Sequence, residues 1–429
     1  MASPKPFNIA IIGGGISGLT LAIALLQHDI PITIYESAAH FGEIGAGVAF
    51  GPNTVLAMQK ISPKLQAAFD KCKTVNQSKT NSWFTVRVGD ARRADKDGFV
   101  RGDKKVGDAL FDVELNTDRD NGGVYRAHFL DELVKAVPEG VAQFGKKLVG
   151  MQTVEDGSGD IICRFADGTE ARHNAVIGCD GIKATTRKWL LGEDDPASKA
   201  VFSGKYAYRG LIPMKDAVDM LGEDVAQNSN FFFGYHGHLL TFPVEQGKTM
   251  NVVAFSSCKE WKQEQWVITT SKEEMNADFA AWGPHVQKIV HAMQKPDIWA
   301  LFYHLPCDTY YKGRVCLLGD AAHATTPHQG AGAGMCVEDS LVMSELLKEA
   351  TNKDDVERVF KAFDEARRPR TQKLVKTSGE AGMLYEFELE GDDLNKIEKN
   401  HTHRQRWIWD VDIDEEVEKA RRIYRDAKL

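Results

Sequence analysis

Phe7-Asn8-Ile9-Ala10-Ile11-Ile12-Gly13-Gly14-Gly15-Ile16-Ser17-Gly18-Leu19 is the stretch that decides the fold. An apolar run of strand length meets glycines spaced Gly13-x-Gly15-x-x-Gly18, and an apolar helical stretch from Ser17 to Gln27 follows at once. A turn of this kind uses its first glycine for the sharp reversal and its second for close approach of backbone to a pyrophosphate. The third lets helix and strand pack tightly. The helix N-terminus then faces the phosphate charge. The next strand, Ile32 to Tyr35, runs into Glu36, at the spacing where a carboxylate accepts hydrogen bonds from adenosine ribose hydroxyls. A solvated glutamate beside an ordinary tight turn would not need strand, glycines, helix and acid in register. The stretch predicts an adenine dinucleotide site.

That site alone does not choose between NAD and FAD. A second stretch does: Leu317-Leu318-Gly319-Asp320-Ala321-Ala322-His323, leading to Pro327-His328-Gln329-Gly330-Ala331-Gly332-Ala333-Gly334 and a helix to Leu347. A strand ending in Gly-Asp and running into the amides of a helix start can serve an extended cofactor twice. Asp320 is placed to bond a ribityl hydroxyl, and the amides near Ala333 can face negative charge on an isoalloxazine ring. FAD is the cofactor this pattern expects. A third stretch, Gly178-Cys179-Asp180-Gly181-Ile182-Lys183-Ala184, again ends a strand with an acid and a glycine. Read by itself it is a turn.

Composition narrows the partners. A formal net charge of −8 leaves no basic footprint for nucleic acid. The seven cysteines are scattered and never form a CxxC pair, which points away from zinc or a disulfide scaffold and towards a reducing compartment. The apolar run from Ile9 to Leu26 is broken by glycines and reads as strand, turn and buried helix, so a soluble protein is expected. The terminal Ala427-Lys428-Leu429 varies the Ser-Lys-Leu peroxisomal address by one small residue, so the expected location is cytoplasmic or peroxisomal. The same residues also simply end a charged helix from Asp414 to Lys428.

Patterning along the chain predicts a helix from Pro52 to Gln59, a polar, weakly periodic stretch from Lys79 to Asp120, and a helix from Tyr125 to Val137. Strands are expected at Ile161 to Phe165 and Ala175 to Ile177. From Tyr206 to Phe255 the pattern turns to short alternating runs typical of an antiparallel sheet. The C-terminal third, from Val356 onward, is charged and helical. The resulting expectation is an α/β protein whose Rossmann-like FAD-binding domain is discontinuous, at 1–78, 121–195 and 300–380. A smaller α+β substrate domain would occupy 79–120 and 196–299, with a helical segment at 381–429.

Taken together, the three glycine-bearing stretches resemble, in order, the motifs of the single-component FAD-dependent aromatic hydroxylases related to 4-hydroxybenzoate hydroxylase. The likeness is closer still to the salicylate hydroxylase group, through Gly42-Glu43-Ile44-Gly45-Ala46-Gly47, Tyr206-Ala207-Tyr208-Arg209-Gly210-Leu211, the run from Gly319 to Asp339, and Arg406-Trp407-Ile408-Trp409-Asp410. The resemblance implies that Glu36 binds ribose, that Gly47 and Ala49 lie along the cofactor, and that Arg126 pairs with the pyrophosphate. Asp320 and Ala333 would hold the ribityl and ring end, and Asp180 would lie near both FAD and the path of NADH or NADPH. The family often has arginine at Lys183 and serine at Ala184, so the third motif departs from its pattern.

The resemblance further implies NAD(P)H and O₂ as co-substrates and hydroxylation of a small phenolic acid through a flavin C4a-hydroperoxide, as in the decarboxylation of salicylate to catechol. No metal is expected, and the chain would act as monomer or homodimer. Such a substrate needs a cation and an acid/base. Arg209 is the candidate cation, with a structural ion pair as its other reading. His328 is the candidate acid/base, expected to titrate near neutrality, with His323 as competitor. Tyr206, Tyr208 and Tyr235 are either pocket or core residues. A dearomatising polyketide hydroxylase of the same fold would carry a catalytic tyrosine where this chain has Phe242. A flavin oxidoreductase without oxygen insertion and a non-catalytic FAD-binding protein are the readings from other classes.

Overall fold

Four consecutive buried residues, Ile9–Ile12, form the central strand of a six-stranded sheet in the computed structural model, which describes residues 4–42, 47–78, 80–295 and 297–427. A strand with no solvent-facing alternation belongs in a sheet covered on both faces. It pairs in parallel with Ile32–Tyr35 on one side (Ile9 opposite Ile32) and with Ala175–Gly178 on the other (Ile9 opposite Ala175). Ala175–Gly178 pairs in turn with Val315–Leu317. The three glycine-bearing stretches therefore follow three neighbouring parallel strands and gather along one carboxyl edge, where open α/β sheets bind ligands. The helices Ile16–Leu26 and Gly332–Glu349 pack against each other, and both start at that edge.

The glycine roles are visible in the backbone. Gly13 sits at φ +105°, and a Cβ there would lie 2.4 Å from the Cys179 carbonyl oxygen; on Gly18 it would lie 2.0 Å from the Gly13 carbonyl oxygen. Both positions exclude a side chain on steric grounds. A Cβ on Gly15 would meet nothing within 4 Å. No packing contact requires a glycine there.

An eight-stranded sheet lies beside the first, ordered Val267–Thr269, Asp297–His304, Ala200–Pro213, Thr249–Ser257, Gly237–Val244, Asn230–Gly234, Ser82–Val88 and Ala109–Glu114. It is antiparallel as expected except where Asn230–Gly234 runs parallel to Ser82–Val88. The polar stretch from Lys79 to Asp120 thus supplies two strands of this sheet and, apart from it, the pair Phe99–Arg101 and Lys104–Lys105. Two expected boundaries fall inside elements: Asp297–His304 spans position 300, and the helix Val356–Tyr385 runs past 380. The helices Pro52–Ile61, Arg126–Ala136 and Ile413–Asp426 lie within a residue or two of their expected spans.

Two buried charge clusters tie the elements together. Arg187, fully buried, donates to the carbonyls of Ala197, Ala321, Ala322 and Leu305, clamping the helix Thr185–Leu191 to the segment after Asp320. Glu338 accepts from Asn53, Arg367 and Arg370, and Asp339 accepts from His323 and Arg367. A buried charge is tolerable only when it is hydrogen-bonded this fully. Among the described residues no helix is long and apolar enough to cross a membrane. Residues 43–46 of the Gly42–Gly47 segment, and Lys428 and Leu429 of the terminal tripeptide, lie outside the described residues.

Candidate active site

Where the two sheets meet, a cavity of about 320 Å³ opens along the carboxyl edge of the parallel strands. One end is backbone. Gly15 and Ser17 begin the first helix, Cys179 and Gly181 flank the third motif, and Gly332 and Ala333 begin the long helix after Asp320. The helix Gly332–Glu349 has no side-chain cap. Its first amides have no intrahelical acceptor, so they present donors and a positive dipole end to the cavity. Asp320 stands beside them, exposed, and no hydrogen bond from the described residues reaches its carboxylate. Arg126, at the start of its own helix, adds a cation. Glu36 lies outside the cavity, over the glycine turn, accepting from the Gly14 and Ala38 amides at 2.7 Å each. Its Oε1 also accepts from the Ser37 hydroxyl at 3.1 Å, and Oε2 retains lone-pair capacity for a ribose hydroxyl. The bare Gly15, the uncapped amides and the free acceptors of Glu36 and Asp320 fit an FAD laid from ribose to ring along this edge.

The other end is aromatic. Trp83, Phe84, Phe231, Phe242 and Phe255 wall it, with Leu240 and Val253 between. Arg209 projects into it from Ala200–Pro213, opposite Val253. Its guanidinium lies 4.6 Å from the centre of the Trp299 ring, its Nε meets no protein partner, and no carboxylate among the described residues pairs with it. The ion-pair reading of Arg209 is therefore not realised. Burial, with a smaller contribution from Arg126, pulls its pKa down to about 10. Two cations facing one cavity, one of them desolvated and unpaired, make a seat for an anion.

His328 lines the cavity beside Phe255, in the short turn Pro327–Gln329, with both ring nitrogens buried and unbonded among the described residues. The helix Val356–Tyr385 holds it there. The Tyr385 hydroxyl donates to its carbonyl at 3.1 Å, and a Cβ on Gly382 would come within 2.7 Å of its ring. The expectation that it titrates near neutrality fails. Full burial, aided by His238 and Lys205, drives its pKa well below the ordinary histidine value, so the resting imidazole is neutral. The competitor His323 does not reach the cavity. Its Nε2 bonds Asp339 at 2.6 Å, inside the buried charge cluster.

The three tyrosines do not line the cavity. Tyr206 and Tyr208 both donate to Asp278 Oδ2, at 2.7 and 2.9 Å, on the strand face opposite Arg209, and Tyr235 donates to Asp392. Asp180 accepts from the Thr186 amide at 3.0 Å and from its hydroxyl, so its carboxylate holds the next helix while its neighbours line the cavity. Burial raises its pKa. Gly47 and Ala49 lie on the cavity wall, and Gly47 leaves room for Phe242, whose ring would stand 2.4 Å from a Cβ there. Gln329 and Gln405 are among the wall residues that the sequence reading missed. Gln329 donates to Gln405 at 3.3 Å, and both line the cavity. Gln405 is adjacent to the Arg406–Asp410 segment, the one hint available. Trp409 of that segment is buried against Gly51 and Trp83, a core plug.

A nucleotide edge built on these three motifs defines an FAD enzyme, and comparison with known proteins agrees: the chain belongs to the FAD binding domain family, whose model matches residues 7–378. It is 41% identical over 427 residues to the 6-methylsalicylate 1-monooxygenase atA of Aspergillus terreus, covering 98% of this chain and 92% of that one. To the salicylate hydroxylase of Pseudomonas putida it is 36% identical over 438 residues, covering 98% and 96%. A solved salicylate hydroxylase substrate complex superposes with a TM-score of 0.82 at 31% identity, covering 97% of this chain and 98% of that one. The chain is a flavin-dependent monooxygenase of the type to which these relatives belong.

Proposed function

We propose that the chain hydroxylates a small 2-hydroxybenzoic acid with electrons from NADH or NADPH, converting salicylate to catechol and CO₂. One atom of O₂ enters the ring and the other leaves as water. The observation that carries this reading is the desolvated, unpaired guanidinium of Arg209 inside an aromatic-walled cavity that continues from the FAD edge. A flat ring fits between the phenylalanines, and an adjacent carboxylate or phenolate supplies the charge that Arg209 lacks.

Bound FAD supplies the activation of O₂; the protein's own groups do the rest. Arg209 binds and orients the anion, the neutral imidazole of His328 accepts the phenolic proton, and the aromatic wall excludes water from the reacting carbon. The hydroxyl-free Phe242 on that wall favours this reaction over dearomatisation of a polyketide phenol. The test is oxidation of NADH and of NADPH by the FAD-loaded protein with and without salicylate, assaying catechol and CO₂, with 6-methylsalicylate as a second substrate arm. Failure of both acids to accelerate oxidation or to give product refutes the substrate class and leaves the family membership standing.

A further inference from the structure

One face of the eight-stranded sheet floors the aromatic end of the cavity, and a single cross-strand row runs along it. Arg209 stands opposite Val253, Val253 opposite Leu240, and Leu240 opposite Phe231, each on the next strand, and all four line the cavity. Residues directly opposite one another share a face of the sheet. Two apolar side chains therefore separate the cation at one end of the row from the groups at the other. At the Phe231 end stand Gln329 and Gln405, each no more than 5% exposed and both lining the cavity. His401, four residues before Gln405 at the end of the same helix, sets its ring 5.8 Å from that of Phe231.

Three inter-strand steps of about 4.8 Å put about 14 Å between the two ends of the row. Hydrogen bonds of about 2.9 Å at either end leave about 8 Å for the ligand between them. A salicylate anchored on Arg209 by its carboxylate has only ring hydrogens at its far edge, so it leaves the amides facing carbon. We infer that the acid this cavity prefers carries a second hydroxyl on the ring edge remote from the carboxylate, seated on the Gln329–Gln405 amide pair. The inference rests on the 2-hydroxybenzoic acid reading above and narrows it.

The hydrogen bonding of the pair supplies the donor such a hydroxyl needs. Gln329 Oε1 accepts from the Thr377 hydroxyl at 2.7 Å, and its Nε2 donates to Gln405 Oε1 at 3.3 Å. An amide nitrogen carries two N–H groups, so one of those on Gln329 is left over after the bond to Gln405. The neighbouring wall residues Trp83, Phe84 and Phe231 have no acceptor to offer it. A buried donor left without a partner is costly, and an oxygen on the bound ring removes that cost. A pair that served only to hold the turn Pro327–Gln329 would be indifferent to what the ring carries.

The test is equilibrium titration of the FAD-loaded protein, followed by flavin absorbance, with salicylate, 2,4-dihydroxybenzoate and 2,5-dihydroxybenzoate. The wild type should bind at least one of the dihydroxy acids about fivefold more tightly than salicylate, the worth of one buried hydrogen bond. In Gln329→Met that ratio of Kd values should fall to about one. Should the first change prevent folding, Gln405→Met, at the other member of the pair, decides. The ratio is the readout because a general loosening of the cavity shifts all three acids alike and leaves it untouched. A wild type that binds salicylate at least as tightly as both dihydroxy acids overturns the inference and leaves the substrate reading standing. So does a preference that survives in every folded variant. A wild type that binds none of the three removes the substrate reading, and the inference with it.

Discussion

Replacing Arg209 by methionine separates a ligand cation from a structural one by the sign of two measurements. Methionine keeps much of the side chain's volume and removes its charge. In the folded protein the guanidinium falls from 12.5 to about 10. At about 1.4 kcal/mol per unit, that difference corresponds to about 3 kcal/mol of unfavourable burial. The sign follows from linkage: a cation whose folded pKa is depressed burdens the folded state at every pH below the folded value. That burden lifts only as pH rises through about 10 towards 12.5.

At neutral pH, Arg209→Met should therefore leave thermal stability unchanged or raise it by up to about 3 kcal/mol, as read by denaturant or thermal unfolding of the FAD-loaded protein. Truncating one partner of a buried structural pair would instead lower it by about 3–5 kcal/mol. Substrate binding should move the other way. Losing a buried charge-assisted contact to a carboxylate costs about 3 kcal/mol, a rise of about 150-fold in Kd for salicylate, read by flavin perturbation with FAD content constant. A destabilised variant that still binds salicylate normally would refute the reasoning at both ends.

Gly18→Ala should abolish FAD retention and lower soluble yield, because its Cβ would stand 2.0 Å from the Gly13 carbonyl oxygen; a yellow, stable variant would contradict the packing argument. Tyr208→Phe should leave the salicylate Kd within twofold and cost about 1 kcal/mol in unfolding, the loss of one hydrogen bond to Asp278. Glu338, fully buried, is held down to about 2 against burial by Arg370 and Arg367. Its contribution to stability should be complete above its ordinary value near 4.5 and disappear as pH falls from there towards 2. Thermal melts of wild type between pH 6 and 3 should show a steeper loss than those of Glu338→Gln, which starts less stable; parallel curves would remove Glu338 from the account.

How much of this was readable beforehand depended on whether the cause was local. The nucleotide edge was legible because its glycine spacing is local: Gly18 is excluded from bearing a side chain by the Gly13 carbonyl in the same turn, although the backbone that crowds Gly13 is that of the distant Cys179. The cavity's aromatic wall was not, because Trp83, Phe231 and Phe255 come from different strands and share a wall only after those strands pair. The titration of His328 was not legible, since the burial that lowers it involves Gly382 and Tyr385, more than fifty residues on. For Tyr206 and Tyr208, elementary geometry decides between the two readings. Residues two apart on a strand share a face, so Tyr206 and Tyr208 could never have pointed with Arg209.

Three motifs on neighbouring strands also set a schedule for biosynthesis. The central strand Ile9–Ile12 leaves the ribosome first, but its neighbour Ala175–Gly178 comes far later and Val315–Leu317 later again. The amides at Gly332 and Ala333 complete the cradle only after more than three quarters of the chain has been made. At about 5–20 residues per second, the nascent chain spends roughly 15–70 s without a finished cofactor seat. Flavin capture consequently waits until all three motifs have been made. Scarcity of FAD in the cell would then be felt as a population of complete but unloaded chains, not as stalled fragments.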